Sequence, residues 1–122
     1  MPKVLIADDS MFQRSALTKA VKSLGHEVIE AKNGRECLDA VAEHAPDVVL
    51  LDLNMPVLNG FEVLEALQTQ GSTVPVVVIS ADIQESSRDR CRKLGARDIL
   101  SKPFPAQKLA ALLTELTGAS PS

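Results

Sequence analysis

A single stretch, "DVVLLDLNMPVLNG" (residues 47–60), fixes the architecture expected of this chain. A strand with one face in water alternates apolar and polar residues, whereas a strand covered on both faces reads as an unbroken run of Val, Ile and Leu. Residues 47–53 are of the second kind and close on an acid, Asp52, near their carboxyl end. Met55-Pro56 then stops the strand, and Asn59-Gly60 supplies turn residues before a helical pattern begins.

The same signature recurs on both sides. "KVLIA" (3–7) and "VPVVVIS" (74–80) are nearly continuous aliphatic runs, "EVIEA" (27–31) carries enough charge to read as an edge strand, and "DILS" (98–101) is a short fifth strand. Amphipathic segments lie between them. Residues 10–24 offer Phe12, Ala16, Leu17, Ala20, Val21 and Leu24 as a stripe, with Gly25 as the stop. Residues 34–44 offer Cys37, Leu38, Val41 and Ala42; residues 60–70 offer Phe61, Leu64 and Leu67; residues 106–117 offer Leu109, Leu112, Leu113 and Leu116. The segment 84–94 is the poorest in apolar residues and reads as a thinly anchored helix. Five strand–helix units in succession imply an α/β domain, with parallel strands, right-handed crossovers and helices on both faces. The chain, 1–122, is expected to be a single domain with its core over about 3–117 and a frayed tail at 118–122.

Composition narrows the function. A net charge of −3 and a pI near 5.3 argue against binding nucleic acid or an anionic membrane. With three Phe and neither Tyr nor Trp, the core must be aliphatic and no stacking surface is available. No run approaches the roughly 18 apolar residues of a membrane span, and the amino-terminal apolar stretch is too short and too acidic for a signal peptide. Cys37 and Cys91 show neither C-x-x-C nor His spacing and read as reduced cytoplasmic thiols. His26 and His44 fall at helix ends, where the dipole favours them. The charge run "RDRCRK" (88–93) reads as a solvated helix face.

In open parallel sheets ligands bind beyond the carboxyl ends of the strands. Those ends carry Asp8-Asp9, Asp52, Ser80 and Lys102. Taken singly, an Asp in such a place is usually a helix N-cap, and for Asp9-Ser10 that role can stand beside another. Their convergence says more. Three carboxylates and one ammonium leave a formal charge of −2, which a divalent cation balances; hard oxygen ligands suit Mg²⁺, which keeps waters that a phosphate replaces. A carboxylate beside a metal, an amine and a hydroxyl is the constellation of aspartyl-phosphate chemistry. Asp52, from a central strand, is the best placed nucleophile, and the backbone carbonyl of Asn54 lies within reach of the metal.

Asp8, Asp9, Asp52, Ser80 and Lys102-Pro103, with "DLNMPVLNG" and "GARDILSKPF", closely resemble the receiver domains of two-component response regulators (CheY-like), over residues 3 to about 117. The resemblance implies a flavodoxin-like (βα)5 doubly wound parallel sheet in strand order 2-1-3-4-5. It implies Asp52 as phosphoacceptor; Mg²⁺ held by Asp9, Asp52 and the Asn54 carbonyl, with Asp8 acting through water; and Ser80 as switch hydroxyl. Lys102 would contact a phosphoryl oxygen, Pro103 would follow through a cis peptide bond, and Asn54 and Asp82 would tune hydrolysis of the phosphoryl group. The position three before the lysine, usually Tyr or Phe in the family, is Ile99, which has no ring to swing toward Ser80.

The implied protein is a stand-alone, monomeric cytoplasmic phosphoprotein of a chemotaxis, adapter or phosphorelay system, and not a turnover enzyme. A histidine kinase would be its phosphodonor. It would signal through the helix 4–strand 5–helix 5 face to a downstream protein such as a motor switch or adapter, or serve as a phosphate sink. Two other classes compete. One is a small aspartyl-phosphate phosphatase-like enzyme, since "DLN" faintly echoes an Asp-x-Asp motif. The other is a flavin or nucleotide module, which would need a glycine-rich phosphate loop that follows none of these strands.

Overall fold

The aliphatic runs form strands, and the segments between them form helices. A computed structural model describes residues 1–81 and 84–118. In chain order the elements are β1 (Lys3–Ala7), α1 (Met11–Ser23), β2 (Glu27–Ala31), α2 (Gly34–His44), β3 (Val48–Asp52), α3 (Gly60–Thr69), β4 (Val76–Ser80), α4 (Glu85–Lys93), β5 (Asp98–Ser101) and α5 (Ala106–Thr117). All neighbouring strands pair in parallel, in the order β2-β1-β3-β4-β5, so β2 is an edge strand. No helix among the described residues is long and apolar enough to cross a membrane.

Strand alternation sorts the aliphatic side chains into two cores. Leu5, Ala7, Val49, Leu51, Val76, Val78 and Ile99 face one side, where Cys37 and Ala40 of α2, Val63, Leu64 and Leu67 of α3, and Cys91 of α4 pack on them. Val4, Ile6, Val48, Leu50, Val77, Ile79 and Leu100 face the other, against Val21 of α1 and Leu109, Leu112 and Leu113 of α5. Covering both faces is what makes the interior strands uniformly apolar. Both cysteines are buried and free, and burial pushes the Cys37 thiol up to about 12, so it is inert at neutral pH.

Helix α1 departs from its expected face. At 100° per residue Phe12 lies half a turn from Val21, and it is 85% exposed. The inward stripe is Arg14, Leu17, Thr18 and Val21, and its two polar members disguised it. Helix α4 is held as thinly as expected: Cys91 is its one buried residue, and among the described residues no side chain caps its first turn. His26, just after the end of α1, is buried, and its Nδ1 has no hydrogen-bond partner among the described residues.

The β3–α3 loop contains a strained residue. Val57 has φ +69° and is 73% exposed, so a β-branched side chain occupies the left-handed region with little packing in return. Replacing Val57 with Gly relieves a cost of about 1–2 kcal/mol, partly offset by greater freedom of the unfolded chain. The expected outcome is a Tm about 2–5 °C higher by calorimetry; an unchanged or lowered Tm contradicts the strain.

Candidate functional site

Strand register aligns the site. Ala7 of β1 pairs with Leu51 of β3, and Asp52 pairs with Ile79 of β4. Asp8, one residue past Ala7, therefore comes level with Asp52 at the carboxyl edge. Ser80 stands one step past Ile79, level with Ser101, and Lys102 follows. The backbone keeps these exits aligned: Asp8 N–H donates to Ala31 O at 3.0 Å and Lys102 N–H to Ser80 O at 2.9 Å.

The three acids converge there. Carboxylate oxygens of Asp8, Asp9 and Asp52 all lie within 4.8 Å of one another, with Asp8 buried, Asp52 half-buried and Asp9 exposed. Asp8 is the anchored member: its Oδ1 accepts Ser10 N–H at 2.9 Å, and Lys102 Nζ stands 3.7 Å from its Oδ2. Its backbone carbonyl accepts Arg14 Nη1 at 2.7 Å, while Arg14 Nε pairs with Glu30 on β2 at 3.0 Å. Asp52 Oδ1 accepts Asn54 N–H at 3.3 Å. Desolvation by burial pushes the Asp52 carboxyl above its ordinary pKa; Asp8 and Asp9 add to the rise, while the Asn54 N–H and Lys102 oppose it. The donor set fits Mg²⁺: several hard carboxylate oxygens close together, with the exposed Asp9 leaving one side open to water.

Lys102 follows β5 directly, beside the acids. Its Nζ donates to Gln13 Oε1 at 2.6 Å, and the Lys102–Pro103 peptide bond is cis. Ser80 is buried at the end of β4. Ile99 is 7% exposed and points into the core on the α4 side, level with Val78. Asn54 sits in the exposed loop after β3. Asp82 lies outside the described residues.

Sequence reasoning missed two polar residues, Gln13 and Arg14. Arg14 was legible in principle, because it falls on the inward stripe of α1. Gln13 was masked by its spacing: three residues past Ser10, it reads as half of a capping box. Ser10 does cap α1, its Oγ accepting Gln13 N–H at 3.2 Å.

Five parallel strands in the order 2-1-3-4-5, alternating with five helices, define a flavodoxin-like fold with an acidic rim at its carboxyl edge. The chain belongs to the response regulator receiver domain family, whose profile matches residues 4–114. It is 36% identical over 111 residues to protein PilH of Pseudomonas aeruginosa, spanning 89% of this chain and 92% of PilH. It is also 36% identical over 118 residues to the sensory/regulatory protein RpfC of Xanthomonas campestris pv. campestris, covering 93% of this chain but only 16% of RpfC. The structure of the chemotaxis response regulator CheY4 of Vibrio cholerae superposes with a TM-score of 0.87 at 31% identity, over 95% of this chain and 98% of CheY4. A phosphatase-like enzyme gains no support from these relatives.

The raised pKa of Asp52 has a signed consequence. The folded state holds this proton more tightly than the unfolded chain, so the contribution to stability is present at acid pH and is lost as pH rises through the raised value. With divalent cations chelated, Asp52→Asn is expected to have a higher Tm than wild type at pH 7, and the gap should vanish below the ordinary aspartate pKa. An equal gap at both pH values, or a less stable variant at pH 7, contradicts the electrostatic account.

Proposed function

We propose that this domain is a phosphoacceptor switch, with Asp52 as the residue phosphorylated by a histidine kinase. The observation that carries the reading is the convergence of Asp8, Asp9 and Asp52 within 4.8 Å, with the Lys102 ammonium 3.7 Å from Asp8. Membership of the receiver family supports it. Asp9 and Asp52, with the backbone carbonyl of Asn54, would hold Mg²⁺, with Asp8 acting through water. When bound, the ion neutralises the clustered carboxylates and the phosphoryl oxygens.

The remaining steps belong to the chain itself. An Asp52 oxygen attacks phosphorus; the bond from phosphorus to the donor's imidazole nitrogen breaks, and that nitrogen keeps the electron pair. Asn54 N–H orients the carboxylate before the attack. Lys102 meets the negative charge on the phosphoryl oxygens, and the Ser80 hydroxyl donates to one of them. Asn54 and Asp82 set how long the acyl phosphate survives. The domain turns over no external substrate, so it acts as a signalling protein and not as an enzyme.

The added charge of about −1.5 to −2 draws Ser80 and Lys102 toward the phosphoryl group. The element free to respond is α4, anchored through Cys91 above the buried Ile99. The signal therefore leaves as repacking of α4 on β5 without an aromatic rotation, and reaches a downstream protein through the α4–β5–α5 face. The likeness to the chemotaxis protein CheY4 supports a signalling role of this kind.

Label transfer from a phosphorylated histidine kinase tests the reading. Transfer is expected with Mg²⁺, at least ten-fold less with EDTA, and none to Asp52→Asn; unchanged transfer to Asp52→Asn would sink it.

A further inference from the structure

The first turn of α1 holds Lys102 in an unexpected way. In a capping box the Gln13 side chain returns to the backbone N–H of the cap residue. Here that N–H, on Ser10, already donates to Asp8 Oδ1 at 2.9 Å. Released from capping, the Gln13 side chain extends across the site, and its Oε1 accepts from Lys102 Nζ at 2.6 Å. An ammonium has three donors and no acceptor, so the amide oxygen must be the atom that faces it. The contact is much shorter than the 3.7 Å between the ammonium and Asp8 Oδ2.

We propose that Gln13 is a positioning residue for Lys102. The lysine stem is flexible, carrying about 2 kcal/mol of rotamer entropy, and the neighbouring carboxylates pull its charge toward Asp8. A neutral amide oxygen fixes the ammonium at the rim without adding a fourth negative charge. It occupies one N–H and leaves the others for the phosphoryl oxygens. The same substitution of partners ties α1 into the site twice, through Ser10 to Asp8 and through Gln13 to Lys102. The consequence for phosphorylation rests on the reading of Asp52 as phosphoacceptor.

Two measurements test it on the intact chain. In ¹H–¹⁵N spectra recorded cold and slightly acidic, the Lys102 ammonium, identified by its loss in Lys102→Met, should exchange with water several-fold more slowly than the other lysines. Gln13→Leu should abolish that protection. Phosphorylation by acetyl phosphate with Mg²⁺ should slow roughly five-fold in Gln13→Leu and in Gln13→Met, the scale of one exposed charge-assisted hydrogen bond, with no further loss when either is combined with Lys102→Met. Protection that persists in Gln13→Leu, or equal slowing of the Lys102→Met chain by Gln13→Leu, overturns the proposal. Label on Asp52→Asn would refute the phosphoacceptor reading instead, and the ammonium spectrum would still decide the Gln13 contact.

Discussion

Crowding of Asp8, Asp9 and Asp52 is the constraint around which the rest of the molecule is arranged. With carboxylate oxygens within 4.8 Å, an ionised pair repels on the order of 3 kcal/mol at an effective dielectric of about 20. Lys102, part-exposed and 3.7 Å from Asp8, returns about 1 kcal/mol or less. The lysine alone cannot win that contest. Desolvation first, and the neighbouring acids after it, push the Asp52 pKa upward; under the proposed function a divalent cation is what offsets the crowding.

The sheet makes the crowding possible. Parallel register carries Asp8 and Asp52 to the same edge, and burial of the apolar residues beneath them, on both faces, outweighs the repulsion above. Gly60 lets the chain after β3 turn back sharply. A Cβ there would stand 2.7 Å from the Asp52 carbonyl oxygen and from Leu53 Cα, too close for any side chain. Asn59 and Glu62 then complete a capping box that starts α3 at that point. The loop bearing Asn54 is thus pinned at both ends, by strand pairing and by a helix cap.

Much of the fold was legible because one physical rule dominates it. A strand buried on both faces has no solvent face to alternate toward, so β1, β3 and β4 announce themselves, and β2 betrays its edge position by its glutamates. Strand ends then nominated Asp8, Asp9, Asp52, Ser80 and Lys102 as neighbours; the structure brings the three acids and Lys102 together. Helix α1 was misread because Arg14 and Thr18 occupy its inward stripe, where an apolar count does not look. The Gln13–Lys102 contact joins residues 89 apart in sequence, and Gln13 lies neither at a strand end nor on an apolar stripe, so nothing local marked it. Such contacts follow from tertiary placement.

The central claim is that these carboxylates form one cation-binding device centred on Asp52. Thermal unfolding across a Mg²⁺ titration, at constant ionic strength and neutral pH, tests it most directly. Binding to the folded state alone stabilises by RT ln(1 + [Mg²⁺]/Kd), so Tm should climb steadily with Mg²⁺ in the wild type and stay flat in Asp52→Asn. A Tm independent of Mg²⁺ in the wild type, or an equal climb in Asp52→Asn, would contradict the account.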